Sequence, residues 1–192
     1  MANTYMPVSI KLNNRKCLVV GGGRIAIRKI DTLLDYGADI TVVAPDPIDR
    51  LEYYDQKGLL KLHKRAYEAP EATRYGLVIS ATDDEALNES IYETCREKGI
   101  PINVVDNPKF CDLIFPAVVK RDCLTVSVSS DGKAPFLSGH LRMVLENIFP
   151  EKQWEQLGAT AARFRIMVQD RWADDAVTKA NCFSTFLNSD WK

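Results

Sequence analysis

The sequence predicts an α/β fold built on a parallel sheet, and three observations carry that reading. Short β-branched runs alternate with helical stretches through roughly the first hundred residues. Glycine or proline closes most of these runs. The first strand then runs straight into three consecutive glycines and a helix, VVGGGRIAIRK at residues 19–29. Such a turn is costly, because glycine loses more backbone freedom on folding than any other residue. Something must need the backbone bare there.

Taken in order, KCLVVG (16–21) is a short apolar run ending in glycine, which predicts a buried strand. From Arg24 to Tyr36, Ile25, Ala26, Ile30, Leu33 and Leu34 recur at helical spacing, and Gly37 supplies a stop. DITVVAP (39–45) is a β-branched second strand. PIDRLEYYDQKG (47–58) predicts a helix that starts on its proline. LLKLHKR (59–65) alternates as a half-exposed third strand, and YGLVISAT (75–82) is a buried fourth. DDEALNESIYETCREKG (83–99) is a helix with acids in its first turn and bases in its last, and Asp83 or Asp84 is placed to cap it. IPINVVDN (100–107) is a fifth strand, which Asp106 ends. After Pro108 the rhythm changes. LIFPAVVKRD and LTVSVSS read as two successive strands turning near Arg121 and Asp122, followed by an amphipathic helix, APFLSGHLRMVLENIF, and a helical tail.

At 192 residues the chain can hold one full α/β domain and a smaller appendage. Its 25 basic and 26 acidic side chains leave a net charge of -1, against the basic stripe of a general nucleic-acid binder. No apolar run is long enough to cross a bilayer, and MANTYMPVSIKL does not read as a signal peptide, so the expected location is the cytoplasm. The five cysteines show no CxxC spacing, which predicts reduced thiols and no zinc site. His63 and His140 are expected to be solvated or hydrogen-bonded.

Gly21, Gly23 and Ala26 fit G-x-G-x-x-A, the dinucleotide-binding fingerprint of a Rossmann domain, in the strand–turn–helix context it requires. The first glycine permits the turn, the second lets a pyrophosphate approach, and the alanine lets helix pack on strand. The alternative is a plain tight turn. The fingerprint's usual acid at the end of the second strand is absent, and Asp46 is the first acid beyond it. The pattern leans to NAD over NADP, but Arg24 stands near enough in sequence to meet a 2′-phosphate, which keeps NADP open. Ligands in open parallel sheets lie beyond the carboxyl ends of the strands. GGGRIA, SATDD with Thr82, and NVVDN with Asp106 should converge there. From position alone, Asp106 is equally a catalytic carboxylate or a loop cap before Pro108.

Together KCLVVGGGRIAIRK, GADITVVAP, VISATDDEALN, INVVDNPKFCDLIFPAVVKRD and VSVSSDGKAPFL…LR resemble the precorrin-2 dehydrogenase family, including the dehydrogenase/ferrochelatase module of siroheme synthase. The resemblance runs from about Pro7 to Pro150. It implies NAD-dependent oxidation of precorrin-2 to sirohydrochlorin, with ferrous iron insertion giving siroheme in some members; the alternatives are a sirohydrochlorin ferrochelatase only, or a non-catalytic dinucleotide-sensing module. It also implies an N-terminal NAD-binding Rossmann domain (1–112), a small α+β dimerisation region (113–150) and a helical C-terminal tail (151–192), assembled as a homodimer. Carried over by motif, Gly21, Gly23, Arg24, Ile25, Pro45 and Asp46 would contact the cofactor, with Thr82 in the neighbouring loop. Asp106 matches the family's catalytic aspartate, and Ser130 a serine at the edge of its substrate site. Lys133 and Arg142 are candidates by position to meet the carboxylates of precorrin-2, as are Lys120 and Arg121, the alternative for each being an ordinary solvated charge. Two departures stand out: Asp131 replaces a glycine of SSGGxSP, and Ser138-Gly139-His140-Leu141-Arg142 replaces an ArxLR helix.

Overall fold

A computed structural model describes residues 4–189, and the first and last three residues of the ranges expected above lie outside it. The chain divides into two compact units, Met1–Ile114 and Phe115–Lys192. The hairpin and helix expected within 113–150 and the helices expected within 151–192 fall together in the second unit.

In the first unit the strands are β1 (Lys16–Val20), β2 (Asp39–Val43), β3 (Lys61–His63), β4 (Leu77–Ser80) and β5 (Ile102–Val104). They form one parallel sheet in the order β3-β2-β1-β4-β5. Helices α1 (Arg24–Asp35), α2 (Asp49–Gln56) and α3 (Glu85–Lys98) connect them, with short 3-10 turns at Glu71–Arg74 and Pro108–Phe110. The chain runs outward from β1 through β3, then returns to lay β4 on the other side of β1. That reversal makes the β1/β4 boundary the topological switch point, where open α/β sheets bind ligands.

Burial follows from this layering. β1, β2 and β4 are buried at consecutive residues because helices cover both faces of the sheet. One core layer joins Leu18, Val20, Val43, Val78, Ile102 and Val104 to Ile91 and Cys95 of α3. Each such aliphatic side chain contributes about 1.5–3 kcal/mol when fully buried. Burial also pushes the Cys17 thiol up to about 11 and the Cys95 thiol up to about 12, so both are protonated core groups at neutral pH.

Three expectations need adjusting. The second helix starts at Asp49, not Pro47, because Ile48 keeps an extended backbone (ψ 151), where its N–H bonds to the Gly22 carbonyl at 3.0 Å. The fifth strand ends at Val104, so Asp106 lies in the turn beyond it with φ +59. The sixth strand begins at Ala117, since the Asp112 and Leu113 N–H groups bond to the Ile102 carbonyl along the outer edge of β5.

In the second unit β6 (Ala117–Arg121) and β7 (Leu124–Val128) pair antiparallel around a turn at Asp122, φ +51. Helix α4 (Pro135–Ile148) packs on this hairpin, followed by α5 (Glu151–Arg171) and α6 (Ala176–Leu187). Arg121 Nε donates to the Phe149 carbonyl at 2.8 Å, tying the hairpin to the end of α4. Among the described residues no helix is long and apolar enough to cross a membrane, and no group of three or more His, Cys, Asp or Glu could hold a metal ion.

Candidate functional site

The three glycines after β1 are bare for three different reasons. Gly21 takes φ +111, and a Cβ there would lie 2.3 Å from the Ala81 carbonyl oxygen. The turn after β1 therefore rests directly on the loop after β4. A Cβ on Gly22 would lie 2.8 Å from both Ala44 Cβ and Pro47 Cα, so this residue admits the loop after β2. Gly23 is different. It has φ -89, which any residue adopts, and a Cβ would meet nothing within 4 Å. Neither packing nor backbone strain requires a glycine there, and the open space beside it fits the approach of a ligand.

The start of α1 fits the same ligand. Its first intrahelical bond runs from the Ile27 N–H to the Gly23 carbonyl at 3.1 Å, so the Arg24, Ile25 and Ala26 N–H groups have no acceptor within the helix. No side chain caps it, and no acid stands in its first turn. By contrast α3 is capped by Asp84, whose carboxylate accepts the Leu87 N–H at 3.0 Å, and α6 by Asp175 through Thr178. An uncapped helix start with exposed glycine and arginine suits a pyrophosphate, which supplies the missing acceptors. Ile25 is exposed beside them, and Ala26 is fully buried, as close packing of helix on strand requires.

Pro45 and Asp46 lie exposed in the loop after β2, which the Ile48–Gly22 bond holds against the glycine turn. Thr82 sits on the far side of that turn, next to Ala81. Its hydroxyl oxygen accepts the Asp84 N–H at 3.0 Å, and its carbonyl accepts Asn88 Nδ2 at 3.0 Å. Asn88 Oδ1 in turn accepts the Ser80 hydroxyl at 2.6 Å, within the core. Sequence reasoning missed Asn88; an asparagine on the apolar face of ALNESI was the available signal. The predicted cofactor residues thus gather on three loops at the carboxyl edge of β1, β2 and β4.

Asp106 is exposed at the same edge, beyond β5. Behind it Cys111 Sγ lies 3.3 Å from the Val104 N–H nitrogen, 3.1 Å from the Val104 carbonyl oxygen and 3.3 Å from the Asn107 carbonyl oxygen. Asn103 Nδ2 donates to the Leu113 carbonyl at 3.0 Å and approaches Cys111 Sγ at 3.5 Å, while its buried Oδ1 has no hydrogen-bond partner among the described residues. Burial pushes the Cys111 thiol up. Lys29, half-buried on α1, was also unforeseen. Burial lowers its pKa, against the opposing pull of the Cys111 and Asp106 side chains.

Ser130, Lys133 and Arg142 belong to the second unit. The Ser130 hydroxyl oxygen accepts the Ala134 N–H at 3.0 Å just before α4. Lys133 Nζ stands 3.9 Å from Asp131, and Arg142 Nη1 pairs with Glu146 at 2.6 Å. Asp131 and Gly132 take φ +54 and φ +74, so the acid occupies a left-handed position where glycine would be unstrained.

Residues 8–117 match the family described as "Putative NAD(P)-binding". A siroheme synthase of Nitrosococcus oceani is 38% identical over 167 residues, covering 87% of this chain and 36% of that protein. One from Pseudomonas putida is 42% identical over 170 residues, covering 88% and 36%. This chain therefore spans little more than a third of the length of these curated relatives. Among solved structures, SirC, a precorrin-2 dehydrogenase, matches with a TM-score of 0.77 at 25% identity, over 97% of this chain and 90% of that one.

Proposed function

The chain belongs to this NAD(P)-binding family, and from that membership we propose that it oxidises precorrin-2 to sirohydrochlorin, with NAD as hydride acceptor. The observation that carries the reading is the shared edge: an uncapped glycine-rich helix start and an exposed aspartate, both beyond the carboxyl ends of one parallel sheet. The siroheme synthase and precorrin-2 dehydrogenase relatives supply the substrate class.

The α1 N–H groups would hold the pyrophosphate, with Arg24 and Ile25 alongside, and Pro45, Asp46 and Thr82 would border the rest of the dinucleotide. An exposed acid beyond β2 favours a ribose hydroxyl over a 2′-phosphate, which is the argument for NAD. When bound, the nicotinamide supplies the hydride-accepting chemistry. Asp106 would take the proton whose loss restores conjugation to the macrocycle, directly or through a water. Exposure suits that role, because the proton must afterwards pass to solvent. Ser130, Lys133 and Arg142 would bind substrate carboxylates, Arg142 by exchanging Glu146 for the ligand.

Insertion of ferrous iron into sirohydrochlorin is a further step we assign to the same carboxylate, since metallation must release pyrrole protons. We also propose a homodimer in the cytoplasm. On α4 Ser138 is buried and Leu145 half-buried, but the stripe Leu137, Leu141, Val144 and Ile148 is 40–58% exposed. An apolar stripe of that length suits a subunit contact.

Anaerobic incubation of the purified chain with precorrin-2 and NAD tests the reading. NADH should appear together with the sirohydrochlorin spectrum, and ferrous iron added afterwards should give siroheme. No NADH with either NAD or NADP would remove the dehydrogenase assignment.

A further inference from the structure

The Asp106 carboxylate interacts electrostatically with Lys29 of α1, and the path of the backbone sets where that carboxylate stands. That path is unusual. Asp106 occupies the left-handed region at φ +59, which a non-glycine residue keeps only where its surroundings impose it. The turn begins at an edge strand, because β5 pairs only with β4. The outward N–H and carbonyl of Val104 therefore need partners other than a strand.

One side chain supplies them. The Cys111 sulfur reaches the N–H and carbonyl of Val104 and the carbonyl of Asn107, at 3.3, 3.1 and 3.3 Å. These groups stand on either side of Asp106, two residues before it and one after. The backbone adds an Asn107 N–H to Val104 carbonyl bond at 3.3 Å and a Phe110 N–H to Asn107 carbonyl bond at 3.1 Å. Burial keeps the thiol protonated at neutral pH, so it retains the S–H that a carbonyl requires.

We infer that Cys111 is a positioning residue: its thiol clamps both sides of the turn that carries Asp106 and so fixes the carboxylate for proton transfer. The inference rests on the reading of Asp106 as the base. It assigns no covalent or redox chemistry to the sulfur. A thiol that only satisfied the edge of β5 would affect stability without acting through Asp106.

The test compares Cys111→Ala, Cys111→Ser and Asp106→Asn, singly and with Cys111→Ala combined with Asp106→Asn, below the melting point of whichever variant melts first. Cys111→Ala should lower kcat for precorrin-2 oxidation roughly tenfold, less than the ~10²-fold that a full 1 Å misplacement costs. KM and NAD affinity should stay within about twofold, because the interaction is used only in the transition state. Serine, which keeps a donor and an acceptor, should restore most of the rate. In the Asp106→Asn background the alanine change should cost nothing further. Amide exchange at Val104 and Asn107, followed by NMR in the absence of substrate and cofactor, should speed up in Cys111→Ala and not in Cys111→Ser.

An unchanged kcat in Cys111→Ala, where Asp106→Asn is slow, overturns the inference. So does a loss that persists in full in the Asp106→Asn background. If wild type does not turn over precorrin-2, or Asp106→Asn matches it, the reading of Asp106 as the base fails, and the proposed positioning role with it. Unchanged exchange at Val104 and Asn107 then overturns the clamp as well.

Discussion

At the scale of single residues, the glycine turn and the aspartate make separable predictions. Gly23→Asp places bulk and charge in open space, so the protein should fold with a near-normal melt while NAD binding disappears in calorimetry. Retained affinity in that folded variant would remove the pyrophosphate assignment. Gly21→Ala should do the reverse, destabilising the fold, because its Cβ meets the Ala81 carbonyl and its φ is +111. For Asp106, asparagine is a sharper test than alanine: it tolerates the left-handed backbone while removing the carboxylate proposed as the base. Turnover in Asp106→Asn should fall by about 10²–10⁴, with NAD binding and melt unchanged. Near-normal turnover would make Asp106 a loop residue. The sequence singled out both positions but missed Cys111, Asn88 and Lys29. An asparagine on the apolar face of α3 was a signal for Asn88, but the roles of Cys111 and Lys29 depend on how the turn after β5 folds back, which no spacing rule marks.

Among elements, α3 and the sheet it covers carry the next predictions. Asp84→Ala removes the only side-chain cap of α3 and should cost about 1 kcal/mol in denaturant unfolding. Cys17 in β1 and Cys95 in α3 give the core a definite pH response. Burial raises both thiols from 9.0, to about 11 and about 12 respectively. The native state therefore holds these protons while the unfolded chain releases them from about pH 9 upward. Their stabilising contribution is complete below that pH and is lost as pH rises toward 11 and 12. Denaturant midpoints should fall across that range, and replacing both cysteines by alanine should flatten the slope. An equal slope in the double variant would count against protonated core thiols.

For the whole molecule the open matter is assembly. The second unit has a two-stranded sheet and three helices, with Val119, Ser138, Gly158 and Val168 as its few buried residues. Phe136 is 80% exposed, and Leu137, Leu141, Val144 and Ile148 are 40–58% exposed. Sedimentation should therefore give a dimer at micromolar concentration, and Leu141→Glu with Val144→Glu should give a folded monomer. A wild-type monomer would dismiss the dimer proposal.

Hydrophobic periodicity and the glycine turn determined the parallel α/β plan, because burial on both sheet faces writes apolar runs and tight turns leave glycines. They placed β1, α1, β4 and α3 within a residue or two, and they identified Gly21, Gly23 and Asp106 as the positions to examine. Element ends were set elsewhere. Where α2 starts and where β6 begins go with bonds to Gly22 and Ile102, residues outside those elements. Only tertiary structure decided that Gly21 and Gly22 are packing requirements while Gly23 is open, since each depends on what another loop brings alongside. It alone decided that Asp106 sits in a left-handed turn held by a thiol, because the hydrogen bonds on both sides of Asp106 meet at one sulfur only once the chain has folded back along the edge of β5.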